Sequence, residues 1–142
     1  MIYVAEYFSK PHSKEQEERA GSLLANVEAL RQEAEREGVV RSIDPDTGCE
    51  ISGSKGGDGD GGFRTPGSDT GAPGSAHRSG EAVDVYDPEN KLDTWLDTFE
   101  TGDGGNTKLS VYGLFREAPD STPGWCHLQT RAPGSGKRTF QP

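Results

Sequence analysis

The sequence predicts an α+β fold in which helices flank a small antiparallel sheet. One long amphipathic segment spans about residues 14–37, and two short segments, 82–86 and 124–130, alternate in side-chain character as strands do. Segment 52–74 is rich in glycine, serine and aspartate, which is typical of a loop. The length of 142 residues, with 20 glycines and a hydrophobic share of 30%, fits one domain with a modest core. We therefore expect a single domain over residues 1–142.

The first long helix is predicted over about residues 14–37, after a short lead-in at 1–12. Ser13 and Gln16 form the capping-box pattern. In this pattern the serine side chain accepts a hydrogen bond from the backbone N–H three residues later, and the glutamine side chain accepts one from the backbone N–H of the serine. Apolar residues then recur at helical spacing, and Gly38 is a natural stop. This apolar stripe is interpreted as core and consists of Ala20, Leu23, Leu24, Val27, Leu30 and Ala34.

A turn and a glycine-rich loop follow this helix. Residues 39–51 are predicted to form two short extended pieces joined by a turn at 44–48, whose sequence Asp-Pro-Asp-Thr-Gly suits turn positions. In the loop at 52–74, Asp58-Gly59-Asp60 invites a calcium-site interpretation. The further oxygen ligands and terminal glutamate of a common calcium loop are missing, so a solvated loop is the default.

A second helix is predicted over roughly residues 88–100. Asp87 and Pro88 are typical of a helix start. Four apolar residues then fall on one helical face, and Trp95 among them is interpreted as core rather than as a substrate platform. They are Leu92, Trp95, Leu96 and Phe99.

The last third of the chain is less regular. Residues 109–117 fit either a short helix followed by a strand or a single strand, and the former is favoured, with 114–116 extended. Residues 119–124 are predicted to turn into the strand at 124–130. The tail over 132–138 is expected to be irregular.

Charge and hydropathy exclude several function classes. The formal net charge of −9 disfavours sequence-independent nucleic-acid binding, which needs clustered lysine and arginine, and disfavours adhesion to anionic membranes or wall polymers. No apolar run approaches the length of a membrane span, so membrane insertion is not expected. The first residues lack the basic start and hydrophobic segment of a signal peptide. A cytoplasmic location is therefore expected, unless another protein releases the chain.

The two cysteines, Cys49 and Cys126, are too few for a disulfide framework. Free thiols are the favoured interpretation, and a single bridge is the alternative. Cys126 stands beside His127, but neighbouring side chains on a strand point to opposite faces. Cys126 is therefore not favoured as a metal ligand.

A candidate metal site combines two separate segments of the predicted core, residues 75–131. His77 and Asp84 lie seven residues apart, and Asp84 falls within a short apolar strand, where an unpaired charge is costly to bury. A divalent metal shared with His77 would supply a partner. His127 lies on the other strand, and with it the set becomes two histidines and one carboxylate. Three protein ligands and an open position are the form of a catalytic zinc site.

These residues carry a family resemblance. The pattern Ser-x-His-x-x-Gly-x-Ala-x-Asp, from Ser75 to Asp84, with the later Trp125-Cys126-His127, resembles the zinc D-Ala-D-Ala carboxypeptidases and related phage endolysins, a group that also resembles the hedgehog signalling domain. The match runs from about Gly62 to the C-terminus. It implies a hedgehog/DD-peptidase-like fold, with zinc in the cleft of the sheet, bound by His77, Asp84 and His127.

The resemblance also implies an activity and a setting. In this family, zinc-activated water attacks a peptide carbonyl, and the substrates are peptidoglycan stem peptides. Both exopeptidase and endopeptidase action stay open, because the choice depends on how loops close the cleft. A phage or bacterial origin follows, with release by a holin or carriage on a virion among other virion proteins.

Two further site residues are implied by the same resemblance. A Gly-aromatic-Arg segment in the family supplies an arginine that holds the substrate, and Arg64 matches it, the alternative being a surface arginine on a loop. The family's catalytic base is typically a glutamate just before the last histidine, whereas residues 123–126 here contain no acid. The nearest acids are Glu117 and Asp120. Glu117 is either a base returned to the metal by a turn, or a surface charge beside Arg116.

This departure keeps two other interpretations open. One is a catalytically inactive zinc-binding structural or virion component that keeps the peptidase fold. The other is a metal-independent interaction module, which would leave the buried Asp84 unexplained. An active enzyme needs Glu117 and an inactive relative does not.

Overall fold

The computed structural model describes residues 1–53, 61–65 and 74–142. Within these ranges the chain forms an α+β structure, which confirms the α+β part of the predicted fold class. The helices are α1 (Val4–Tyr7), α2 (Lys14–Arg36), α3 (Lys91–Asp97) and α4 (Thr107–Val111). The strands are β1 (Ala82–Tyr86), β2 (Phe115–Glu117), β3 (Trp125–Gln129) and β4 (Thr139–Phe140), and short 3-10 turns occupy Ala76–Ser79 and Pro119–Ser121. The calcium interpretation of Asp58-Gly59-Asp60 lies outside the described residues.

The four strands form a mixed sheet with the order β1-β3-β2-β4. β3 pairs antiparallel with both β1 and β2, whereas β4 runs parallel to β2. The chain reverses direction between β3 and β4, so β4 runs opposite to β3. Because β2 also runs opposite to β3, β4 and its neighbour β2 run in the same direction. The prediction of a purely antiparallel sheet is therefore wrong at this edge. The tail at 132–138 is irregular, as predicted, and leads into β4.

The sheet separates an apolar core from an open face. Val83 and Val85 of β1 and Cys126 and Leu128 of β3 join one buried cluster with α2, α3 and α4. Burying each such aliphatic side chain contributes roughly 1.5–3 kcal/mol. Because side chains alternate along a strand, the residues between these four point to the opposite face. They include Ala82, Asp84, Tyr86, Trp125, His127 and Gln129.

The long helix is confirmed almost to the residue. Ser13 Oγ accepts a hydrogen bond from the Gln16 backbone N at 3.1 Å, and Gln16 Oε1 accepts one from the Ser13 backbone N at 2.7 Å. Gly38 follows the helix with φ of 97°, a conformation that favours glycine. All six predicted stripe residues are buried. The lead-in contains a further short helix, α1, which was not predicted.

The second predicted helix is shorter than expected, Lys91–Asp97 instead of 88–100. Asp87 nevertheless caps it, because its carboxylate accepts hydrogen bonds from the backbone N of Lys91 and of Leu92 at 2.9 and 3.0 Å. Asn90 has φ of 53°, so the chain turns once more before the helix begins. Trp95 packs against the core, as predicted.

Of the two extended pieces predicted over 39–51, only isolated bridges form, at Asp44 with Cys49 and at Ile51 with Val85. The turn at 44–48 is closed by a bridge between Asp44 and Cys49, and α4 followed by β2 confirms the helix-then-strand interpretation of 109–117. Cys49 and Cys126 are both free and buried. Among the described residues, no helix has both the length and the apolar character needed to cross a membrane.

Candidate metal centre

The three predicted ligands meet on the open face of the sheet. His77 comes from the first 3-10 turn, Asp84 from β1 and His127 from β3, where it is the register partner of Asp84. Asp84 Oδ1 lies 3.3 Å from His77 Nε2 and 2.9 Å from His127 Nδ1. All three residues are buried, and their ligand atoms lie within 4.8 Å of one another. This group could hold a metal ion.

Hydrogen bonds on the far side of each imidazole fix which nitrogen faces the cluster. His77 Nδ1–H donates to the carbonyl oxygen of Gly62 at 2.9 Å. His127 Nε2–H donates to Gln129 Oε1 at 2.6 Å, and the Gln129 amide is oriented because its Nε2 donates to the Arg131 carbonyl at 2.7 Å. When these imidazoles are neutral, the lone pairs of His77 Nε2 and His127 Nδ1 therefore point toward Asp84.

The result is a set of three acceptor atoms that face one another. With neutral imidazoles, no proton lies between either nitrogen and the Asp84 carboxylate, so the cluster lacks a positive charge at its centre. A divalent cation satisfies all three atoms at once. Two imidazole nitrogens and one carboxylate oxygen are a normal donor set for such an ion, so the residues fit a metal.

The electrostatics of the cluster favour a cation. Burial opposes ionisation of Asp84, yet His77 and His127 hold the pKa of this carboxyl well below its usual range. Burial also opposes a charge on His127, yet the hydrogen bond and negative charge of Asp84 raise the pKa of this imidazole. Asp84 therefore attracts positive charge to the cluster, and an incoming metal ion competes with a proton for it.

The fixed positions of the Ser75–Asp84 pattern have local structural causes. Ser75 Oγ accepts a hydrogen bond from the His77 backbone N at 3.3 Å and so caps the 3-10 turn. Gly80 ends this turn with φ of 81°, and a Cβ there would lie 2.6 Å from the backbone oxygen of Gln16. Glycine is thus required for the turn to pack on the start of α2. The pattern therefore contains both the ligand His77 and the neighbouring residues, Ser75 and Gly80, that fix its position.

Residues 61–65 bond to two of the three ligand-bearing elements, the first 3-10 turn and β1. The carbonyl of Gly61 accepts from the Asp84 backbone N at 2.7 Å. A Cβ on Gly62 would lie 2.8 Å from the backbone oxygen of Tyr7, so this close approach needs glycine. Sequence reasoning missed that Gly62 and Gln129 orient the histidines. The adjacent glycines were the available signal for close backbone approach.

Arg64 lies at the cluster, where the resemblance predicted it. Its backbone N donates to the carbonyl of His77 at 3.1 Å, and its Nη2 lies 3.6 Å from Asp84 Oδ2. The two oxygens of Asp84 therefore face different partners, Oδ1 the histidines and Oδ2 the guanidinium. The side chain of Arg64 is only 11% exposed, so it is not a surface arginine.

Glu117 also lies at the cluster. The register pairs Arg116 with Leu128, which places Glu117 beside His127 in the next row, on the same face. Asp84, His127 and Glu117 thus form one row across three neighbouring strands. Glu117 Oε1 lies 3.8 Å from His127 Nδ1, and its side chain is 23% exposed.

A cavity of about 580 Å³ opens above the cluster. Its volume is within the range of small-ligand sites. Arg131, which sequence reasoning missed, forms part of the rim and donates to the Gly74 carbonyl and to Ser79 Oγ at 2.8 and 2.6 Å. The other acid considered, Asp120, is exposed and is not among the described lining residues. The lining does contain every predicted site residue, namely Arg64, His77, Asp84, Glu117 and His127.

The arrangement brings together, around one cavity, three residues that could hold a cation, the carboxylate of Glu117 and the guanidinium of Arg64. Comparisons of the chain with protein-family models, with curated proteins and with solved structures each give no match.

Proposed function

We propose that this protein is a zinc-dependent peptidase that hydrolyses peptide bonds in peptidoglycan stem peptides, as D-Ala-D-Ala carboxypeptidases and endolysins do. The observation that carries the proposal is the convergence of three buried acceptor atoms beneath a cavity that also exposes Arg64 and Glu117. The choice of peptidoglycan rests on the resemblance of the Ser75–Asp84 pattern. The choice of zinc rests on the donor set, two imidazoles and one carboxylate.

His77 Nε2, Asp84 Oδ1 and His127 Nδ1 would hold the ion. Zinc bound there would polarise the scissile carbonyl and lower the pKa of a water molecule. Gln129 and Gly62 keep both imidazoles in the ligating orientation through the bonds described above. The raised pKa of His127 means that its proton must leave when the ion binds.

Glu117 and Arg64 would act on the substrate. Hydrolysis adds the hydroxyl of water to the carbonyl carbon and its proton to the leaving nitrogen. Glu117 Oε1 is placed to accept that proton and to return it to the amine as the C–N bond breaks. Arg64 is placed to donate hydrogen bonds to a substrate carboxylate or to the developing oxyanion. Asp84 Oδ2 holds the guanidinium over the cavity.

Metal content is the first test. Mass spectrometry should find about one zinc per chain in the wild type and none in His77→Ala. His12→Ala is the matched control, because His12 stacks on Phe8 and is not part of the cluster. A folded wild-type protein that takes up no zinc, even when supplied with it, would sink the peptidase proposal.

Peptidoglycan digestion with Glu117→Gln is the second test. We expect this variant to keep its zinc and to lose hydrolysis by about 100-fold or more, because a positioned general base contributes about 10²–10⁴ in rate. Retained hydrolysis would place the base elsewhere. Zinc binding with no hydrolysis by the wild type would instead support the second candidate, an inactive zinc-binding component, which the absence of an acid at 123–126 favours.

A further inference from the structure

An aromatic pair borders the metal cluster. The register of β1 and β3 places Tyr86 opposite Trp125, the next same-face pair after Asp84 and His127. The two pairs are about 7 Å apart along the strands, because side chains on one face recur every second residue. Both aromatic residues are half-buried. The open face of the sheet therefore continues from the ligands onto two aromatic rings.

A second cavity, of about 380 Å³, begins at this pair. Trp125 lines both this cavity and the one above the metal cluster. The remaining described lining of the second cavity comes from residues 44–46 and 52–53, from Pro88 and from residues 123–124. The two cavities are thus neighbours that share Trp125 in their lining.

The two cavities differ in charge. The first is lined by both charges, Arg64 and Arg131 with Asp84 and Glu117, whereas the described lining of the second contains Asp44 and Asp46 and no basic residue. The Asp44 carboxylate holds the turn, since it accepts hydrogen bonds from the backbone N of Asp46 and of Gly53, each at 2.8 Å. Asp46 is exposed, so its charge faces solvent and any ligand in the cavity.

We propose that the second cavity is a subsite for a cationic side chain of an extended peptide whose scissile bond lies in the first cavity. An ammonium group would lie between the Asp46 carboxylate and the rings of Tyr86 and Trp125. Such a group is attracted both by an opposite charge and by the face of an aromatic ring. The subsite rests on the proposed function for the identity of the substrate, and it assigns a specificity that the metal cluster does not supply.

The test is a binding measurement with two synthetic peptides. One is the stem pentapeptide L-Ala-D-isoGlu-L-Lys-D-Ala-D-Ala, and the other carries an Nε-acetyl group on the lysine. Titration calorimetry on the zinc-free protein should give about fivefold tighter binding of the free amine. Asp46→Asn and Trp125→Leu should each bring the two affinities together. Glu18→Gln, which removes an exposed charge that lines neither cavity, should keep the preference.

The outcomes separate the subsite from the peptidase. Equal affinities in the wild type, binding of neither peptide, or a preference that survives both Asp46→Asn and Trp125→Leu would overturn the subsite. Asp46→Asn changes only an exposed side chain, so it tests the proposal even if Trp125→Leu unfolds the protein. An amine preference that persists in His77→Ala supports the subsite even if hydrolysis is absent. Hydrolysis without any amine preference keeps the peptidase and removes the subsite.

Discussion

Two clusters of charged side chains, each centred on a buried residue, lie on opposite faces of the same sheet. On the core side, the Arg116 cluster consists of Arg116, Asp93, Asp97 and Thr139, and the fully buried guanidinium donates to Asp93 Oδ1 at 2.9 Å and to Asp97 Oδ1 at 2.6 Å. On the open side, the metal-ligand cluster presents two imidazole nitrogens and a carboxylate to one another. The first cluster contains its own cation, and the second contains acceptors that need one.

The difference shows that buried charge alone does not identify a functional site. Arg116 and Glu117 are consecutive residues, yet one holds α3 against the sheet and the other lines the cavity. A step of one residue along a strand changes the face. The carboxyl pKa values differ in the same way. Burial raises the pKa of Asp93 despite the nearby guanidinium of Arg116, whereas His77 and His127 lower that of Asp84 against its burial.

The largest expected effect is a loss in the free energy of unfolding, in the variant Arg116→Met. The variant leaves Asp93, which is 1% exposed, without its guanidinium partner. Removing one partner of a buried pair costs about 3–5 kcal/mol, so urea unfolding should show a loss of that size. The double variant Arg116→Met/Asp93→Leu should recover most of it, because both charges are then absent. Zinc content should not change in the folded protein, and its loss would show that the two clusters are not independent.

The next effect is on metal affinity alone, from Gln129→Met. This variant removes the acceptor that orients His127, and loss of such a partner typically costs about 10–100-fold in metal affinity. Competition with a zinc-binding dye measures it. Gln129→Glu keeps an acceptor beside His127 Nε2 and should retain more of the affinity. Equal zinc affinity in wild type and Gln129→Met would mean that the hydrogen bond between His127 Nε2 and Gln129 does not orient the ligating nitrogen, Nδ1.

The smallest effect is a pH dependence that belongs to the Arg116 cluster. Burial raises the pKa of Asp93 above its ordinary 3.8. A raised folded-state pKa contributes stability that is present below the unfolded value and is lost as pH rises through the folded value. The difference in unfolding free energy between wild type and Asp93→Asn should therefore fall as pH rises above about 3.8. Urea unfolding at several pH values measures this difference, and a difference that grows with pH would contradict it.

The three candidate metal ligands could be predicted because they depend on local pattern. Alternation along 82–86 and 124–130 predicts which face of its own strand carries Asp84 and which carries His127. Pairing of the two strands then puts both residues on the same face of the sheet. Glu117 was identified only as one of the two nearest acids, which a turn could return to the metal. Its position beside His127 depends on the register between β2 and β3, which the sequence does not state.

The remaining features depend on contacts between distant segments. Gly62 and Gln129 act on the histidines through hydrogen bonds, and Arg116 finds Asp93 across the core. β4 has only two residues, too few for a periodic signal, so the parallel edge of the sheet was missed. α1, with four residues, was missed for the same reason.

The central position of β3 has a consequence for how the site forms. β1 and β2 do not pair with each other, and β3 is the strand that joins them, while β2 also pairs with β4. His127 lies on that strand, about fifty residues from His77, so the complete ligand set exists only after a long-range closure that folding reaches late. Stopped-flow refolding with a zinc indicator should show uptake that follows sheet formation and never precedes it. Metal capture would then mark the last step of assembly, and the ion would stabilise a finished sheet without nucleating it.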